Sequence, residues 1–270
     1  MHIEKTIIAI PARLESSRLP NKILADINGK PMIQRVVEQC SKAKGPVKIV
    51  ICTDSEEIGL LINRLGYEYI NTHKSCASGS ERISSVINQL IKLAWGESNN
   101  SSIKFDKKDK LLRTGIINVQ GDQPLLDPSI ITKMDQYMKD KSNEVEVITP
   151  IHKLHKKDLH NPAVVKTLIS NKGQALYFSR SALPHIRDVD KNEWYKHYDY
   201  WGHVGIYGYR GDVINRWNEF NSSDLEKLEK LEQLRLIEAD IKISTFEVEG
   251  NFISVDTFEQ LEQVRKKIKT

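Results

Sequence analysis

The sequence predicts an α/β protein: a doubly wound, mostly parallel sheet carrying an inserted antiparallel lobe. Three observations lead there. Short, β-branched apolar runs at residues 7–10, 47–52 and 116–119 alternate with stretches of helical apolar spacing, the arrangement that builds parallel sheets. The first run ends in a loop bearing Arg13, Arg18 and Lys22 with Ser16 and Ser17 between them, at the strand end where such sheets bind ligands. From about residue 161 to 209, strand-like pieces follow one another without intervening helices, as antiparallel neighbours do.

Composition narrows the class. The 270 residues suit one large domain, residues 1–270, with the lobe inserted at about 161–210. Hydrophobic residues at 39% and charged residues at 28% are ordinary for a soluble globular chain. The net charge of +4, from 40 basic and 36 acidic residues, suits an anionic small substrate; no basic block or aromatic-interleaved basic stripe calls for nucleic acid. The chain opens without a leader pattern, and no apolar run approaches the ~20 residues of a membrane span, so no membrane partner is expected. Cys40, Cys52 and Cys76 are odd in number and form no CxxC, which fits a reducing cytoplasm better than disulfides or zinc.

The first strand is expected to stop at Pro11. Its loop has neither GxxxxGK[ST] nor GxGxxG, yet cations and hydroxyls between a strand and a helix suit a polyphosphate. The helix starts near Pro31, with Met32, Ile33, Val36, Val37 and Cys40 on one face. Residues 47–52 and 67–71 read as strands flanking a helix at 56–65. Ser78-Gly79-Ser80-Glu81-Arg82 opens the next helix, with Ser78 or Ser80 as its cap and Glu81 complementing its dipole. Residues 96–110 are polar and then densely charged, a surface excursion with no assigned function. The strand at 116–119 runs into Gln120-Gly121-Asp122-Gln123-Pro124. A carboxylate there, beside a glycine that lets a ligand approach, suits a divalent cation. A strand follows at 145–151, and the lobe pieces at 163–169, 175–178 and 204–209 frame a Trp- and Tyr-rich loop. Residues 224–238 read as one amphipathic helix, with Leu225, Leu228, Leu231 and Leu234 every third residue. Strands at 241–248 and 252–255 lead to Asp256, placed to cap the last helix.

PARLESSRLPNK followed by INGKPMI resembles the nucleotide-binding signature of the 3-deoxy-manno-octulosonate cytidylyltransferases (CMP-Kdo synthetases), and the likeness covers nearly the whole chain except residues 96–110. It implies a Rossmann-like nucleotidyltransferase fold, a homodimer, and Mg²⁺-dependent transfer of CMP from CTP to a 3-deoxy-ulosonic acid (Kdo) for lipopolysaccharide or capsule synthesis. On that likeness Pro11, Ala12, Arg13, Ser17, Arg18, Lys22, Ser78 and Gln120 bind the nucleotide. Arg13 and Lys22 neutralise the triphosphate, and Asp122 and Asp256, in QGDQP and VDTF, hold the metal; an oxygen-only, partly hydrated site suits Mg²⁺ rather than zinc. These four form the catalytic set. Arg82, Gln120, Arg180, His203, Tyr207, Glu232 and Gln233 are the implied contacts to the sugar acid.

The chain departs from the pattern in places. Ser80 replaces the threonine of SGTER, Phe258 the proline of VDTP, and Gly202 stands before His203 where the family usually has lysine. A separate YKH occurs at residues 195–197, but the spacing of His203 to Tyr207 is intact, so His203 takes the family role. The departures around residues 201–203, in the sugar lobe, keep open the same chemistry on another acid, 8-amino-Kdo or a different ulosonic acid. A non-catalytic nucleotide-binding homologue is the third reading; retention of both Asp122 and Asp256 weighs against it.

Overall fold

The structure, a computed structural model, describes residues 2–15, 19–96, 106–140, 144–250 and 252–268. Ser17 and Arg18, and residues 97–105 of the polar excursion, lie outside them. In chain order the first elements are β1 (Lys5–Ala12), β2 (Asp26–Ile27), β3 (Lys30–Pro31), α1 (Met32–Cys40), β4 (Ile49–Thr53), α2 (Glu56–Arg64) and β5 (Glu68–Asn71). Next come α3 (Gly79–Ser85), α4 (Ile87–Trp95), α5 (Lys107–Leu112), β6 (Thr114–Asn118) and α6 (Pro128–Lys139). The remainder are β7 (Val147–Lys153), β8 (Lys166–Ile169), β9 (Ala175–Ser179), β10 (Trp201–His203), β11 (Tyr207–Arg210), α7 (Gly211–Asn215), α8 (Asp224–Glu229), α9 (Leu234–Glu238), β12 (Ile243–Glu247) and α10 (Phe258–Ile268).

The chain divides into two compact units: Met1–Glu144 with Ile206–Asn218 and Asn251–Thr270, and Val145–Gly205 with Glu219–Gly250. In the first, β5, β4, β1 and β6 pair in parallel and β11 joins β6 antiparallel. Ile7, Ile8, Ala9 and Ile10 of the central β1 are at most 1% exposed, and each fully buried isoleucine contributes roughly 1.5–3 kcal/mol. In the second, β12 pairs parallel with β7, followed by β10, β8 and β9, all antiparallel. The lobe expected at 161–210 is thus drawn differently: it gains β7 and β12, while β11 belongs to the first unit.

Three other expectations change. Pro11 does not stop β1, which continues to Ala12 opposite Thr53 of β4. The Ile8 amide points at β4, so by alternation the Pro11 nitrogen faces β6, whose pairing with β1 ends at Ala9–Asn118; no ladder bond is lost there. Residues 252–255 form no strand. The expected helix at 224–238 breaks into α8 and α9, because Lys230 is left-handed (φ 53°) and Arg180 Nε takes the terminal Glu229 carbonyl at 2.7 Å. Arg235 braces the break through Glu226, with Nε to Oε2 at 2.8 Å.

Candidate active site

Caps and packing bring the two acidic residues of the first unit together. The Val255 amide donates to the Asp122 carbonyl at 2.9 Å, tying the segment before α10 to the loop after β6. A core of Ile27, Met32, Val255, Leu261 and Val264 seats α10 behind that contact. Asp256 is not the side-chain cap of α10. Thr257 Oγ1 accepts from the Gln260 amide at 3.3 Å, and Gln260 Oε1 accepts from the Asp256 and Thr257 amides at 2.7 and 3.0 Å. This capping box makes Thr257 the cap, and the Asp256 carboxylate meets Lys22 instead.

Lys22 lies between the two acids. Its Nζ donates to Asp122 Oδ2 at 2.6 Å and to Asp256 Oδ1 at 2.9 Å. Burial alone would lower the Lys22 pKa, but Asp122 and then Asp256 outweigh it and raise it above the usual lysine value. The remaining oxygen, Asp122 Oδ1, is buried with no hydrogen-bond partner among the described residues. Among those residues no group of three or more His, Cys, Asp or Glu side chains forms a metal cage. Two carboxylates, one with an unsatisfied buried oxygen, fit a hard cation that keeps several waters and substrate oxygens, as Mg²⁺ does.

Gly121 does not face a ligand space: a Cβ there would meet Ile23 Cδ1 at 3.0 Å and Ile33 Cδ1 and the Pro11 carbonyl at 3.4 Å. Its role is packing. Gly79 serves similarly, since a Cβ would lie 2.9 Å from Pro11 Cγ, so the start of α3 presses on the end of β1. Ser78 Oγ accepts from the Glu81 amide at 3.2 Å and caps α3, while Glu81 Oε2 accepts from the Ala77 amide just before the cap at 2.8 Å. Gln120 Nε2 donates to Asn118 Oδ1 at 3.1 Å.

Beyond buried Pro11 and Ala12, exposed Arg13 borders a cavity of ≈ 730 Å³ shared with Asp54, Tyr69, Asn71 and Lys74, a volume in the small-molecule range of roughly 300–1,000 Å³. Arg82 is 2% exposed and its guanidinium is taken up by Asp54 Oδ2 at 2.9 Å and by Thr72 Oγ1. Tyr207 is buried and stacked on Tyr209, ring centroids 5.6 Å apart. Asp54, Thr72 and Asn118 are residues the sequence reading left without a role. Asn118 could have been found, since it lies two residues before Gln120 on a period-two strand.

The second unit holds Arg180, His203, Glu232 and Gln233. Arg180 donates to the Glu229 carbonyl at 2.7 Å and the Pro162 carbonyl at 3.0 Å. Fully buried Lys166 donates to the carbonyls of Asn161, Val164 and Arg180 at 2.7, 2.9 and 2.7 Å, fixing that corner. Glu232 and Gln233 sit in the break between α8 and α9, where Gln233 Nε2 is buried without a hydrogen-bond partner among the described residues. Within the Trp- and Tyr-rich loop, Trp194 and Tyr200 are core, packing with Leu159, Ile186 and Val189, while Tyr195 is exposed.

Thr149 Oγ1 donates to the Val204 carbonyl at 3.2 Å, so its oxygen accepts from His203 Nε2 at 3.0 Å. Burial, and secondarily His152, push the His203 pKa down to about 3. The unfolded chain binds a proton here below about 6.5, whereas the folded one does so only near pH 3. The stability tied to neutral His203 is therefore complete above pH ~6.5 and lost progressively as pH falls towards 3. Urea midpoints measured from pH 7 to 4 are expected to fall more steeply for the wild type than for His203→Gln; parallel curves would show that this ring is not held neutral.

Cys40, Cys52 and Cys76 are free and buried. Burial pushes Cys40 and Cys52 up to about 12, so neither is a nucleophile near neutral pH.

A family model described as cytidylyltransferase matches residues 7–243. The chain is 35% identical to the 3-deoxy-manno-octulosonate cytidylyltransferase of Escherichia coli, covering 97% of this chain and 96% of that one. It is 38% identical to the 8-amino-3,8-dideoxy-manno-octulosonate cytidylyltransferase of Shewanella sp., covering 97% and 98%. Its fold matches the solved structure of a CMP:2-keto-3-deoxy-manno-octonic acid synthetase complexed with CTP at a TM-score of 0.84 and 34% identity, over 98% and 99% of the two chains.

Proposed function

The chain belongs to the cytidylyltransferase family, and from that membership we propose that it joins CTP to 3-deoxy-manno-octulosonate, releasing pyrophosphate and the CMP-sugar. The observation that carries the reading is the Asp122–Lys22–Asp256 cluster at the carboxyl end of the central strands, with Asp122 Oδ1 unsatisfied. CTP lies over the loop that follows β1, its triphosphate countered by Arg13 and Lys22. The anomeric hydroxyl of the acid attacks the α-phosphorus in line, forming the new P–O bond as the bond from the α-phosphorus to the bridging oxygen breaks, pyrophosphate departs and the hydroxyl proton passes to solvent. No covalent nucleophile on the protein is needed; positioning and charge neutralisation supply the acceleration. Asp122 and Asp256 are the proposed Mg²⁺ ligands, and a cation held there supplies charge neutralisation and acidifies the attacking hydroxyl. On the likeness stated above, Arg180, His203, Glu232 and Gln233 of the second unit are proposed contacts to the acid.

A reducing cytoplasm agrees with the free, buried cysteines. Association of two copies agrees with the exposed Leu176 and Leu228 of the second unit, 53% and 80% accessible.

Pyrophosphate release with Mg²⁺ and CTP is expected to be fastest with Kdo, slower with 8-amino-Kdo and absent with sialic acid. Preference for 8-amino-Kdo moves the substrate and keeps the chemistry, while binding of CTP without release from any acid overturns the enzymatic reading. Light scattering on the same preparation is expected to give twice the 31.0 kDa chain mass; a single chain mass removes the dimer.

A further inference from the structure

We propose that Lys22 is the resident counter-ion of the Asp122–Asp256 pair and is exchanged for the divalent cation when the nucleotide arrives. The inference rests on the metal reading above and deepens it. One ammonium touches both carboxylates, at 2.6 and 2.9 Å, and the three side chains are only 13%, 18% and 35% exposed. A Mg²⁺ ion bound to the same oxygens at ~2.1 Å would stand within a few ångströms of Nζ, and cations so placed in a partly dry site repel strongly. The two occupants exclude one another.

The Lys22 backbone stays where it is. Asn21 is left-handed (φ 52°), the Lys22 amide bonds the Leu19 carbonyl at 3.1 Å, and the Lys22 carbonyl accepts from Ala25 at 3.1 Å. Exchange is therefore a swing of the four-carbon side chain, whose charged head is a mobile point charge. The bridged state is incomplete: Asp122 Oδ1 is buried and has no hydrogen-bond partner among the described residues. A divalent ion with its waters removes that deficit, and the displaced ammonium then needs a new anion. The triphosphate is that anion. Metal without nucleotide must strand the lysine; metal with nucleotide does not. Affinity for each is thus coupled to the other through one side chain, and the coupling is reciprocal.

The test is Mn²⁺ binding, followed by electron paramagnetic resonance, with and without a CTP analogue whose α–β bridge cannot be cleaved. In the wild type the analogue is expected to tighten Mn²⁺ binding about tenfold or more, within the usual range of such couplings. In Lys22→Met, Mn²⁺ alone is expected to bind about tenfold tighter than to the wild type, with the nucleotide enhancement largely gone. Lys22→Gln, which keeps a hydrogen-bond donor but no charge, should behave as Lys22→Met does, and serves if that variant fails to fold. Equal Mn²⁺ affinity of wild type and variant, with binding lost in Asp122→Asn, overturns the exchange and leaves the metal reading standing. Undiminished Mn²⁺ binding in Asp122→Asn removes the metal reading and the exchange with it.

Discussion

Asp122→Asn is expected to lower turnover by about 10²–10³-fold, the usual consequence of removing one preorganised electrostatic group from a reacting centre, while the protein stays folded. The substitution keeps the side-chain volume and leaves untouched the Asp122 carbonyl that holds the Val255 amide. Lys22 retains Asp256, at 2.9 Å, so no buried charge is left alone. What disappears is the negative charge, together with the anionic oxygen that has no hydrogen-bond partner among the described residues. Steady-state kinetics with saturating CTP and Kdo, alongside a thermal melt, separates the two effects. Turnover within threefold of the wild type would sink the assignment of Asp122 to the reacting phosphates; a collapsed melt with the loss of turnover would make it structural.

Much of the first unit was legible because local rules and tertiary packing agree there. The β-branched runs became β1, β4 and β6, and the apolar face read at Met32, Ile33, Val36, Val37 and Cys40 is the buried face of α1. The meeting of Asp122 with Asp256 was not legible from spacing. They are 134 residues apart, and what joins them is one backbone bond from Val255 and a capping box that reassigns the cap from Asp256 to Thr257; the likeness to a family supplied the pairing.

The misread elements fail for identifiable reasons. Leucine every third residue at 225–234 looked like one helix, but a strict period of three drifts around a 3.6-residue helix. The structure breaks at Lys230, leaving Leu228 exposed and Leu231 and Leu234 buried. Pro11 read as a stop because pattern alone does not say which neighbour a strand's amides face. The partners of Arg82 were hidden for a third reason: Asp54 and Thr72 come from the ends of two other strands, and only the fold gathers them.

Arg82 therefore carries the second large expectation. Arg82→Met removes the guanidinium that pairs with Asp54, whose side chain is 14% exposed, and so breaks that ion pair. Breaking one partner of a buried pair costs about 3–5 kcal/mol. For a chain of this size each kcal/mol moves the melting temperature by about 2–4 °C, so a fall of roughly 6–20 °C is expected. Arg82→Lys should recover little of it, since an ammonium cannot reach an acid and a hydroxyl with a planar fork. Asp54→Asn, combined with Arg82→Met, closes a double-mutant cycle; a double variant no worse than Arg82→Met alone shows that the two act as a unit. The likeness gives this arginine to the sugar acid, and the same experiment decides between the roles. A variant that melts with the wild type but shows a raised KM for the acid, with the KM for CTP unchanged, places Arg82 on the substrate. A large loss of stability with both KM values unchanged in the surviving folded protein makes it the brace between α3 and the ends of β4 and β5, and moves recognition of the carboxylate to another cation.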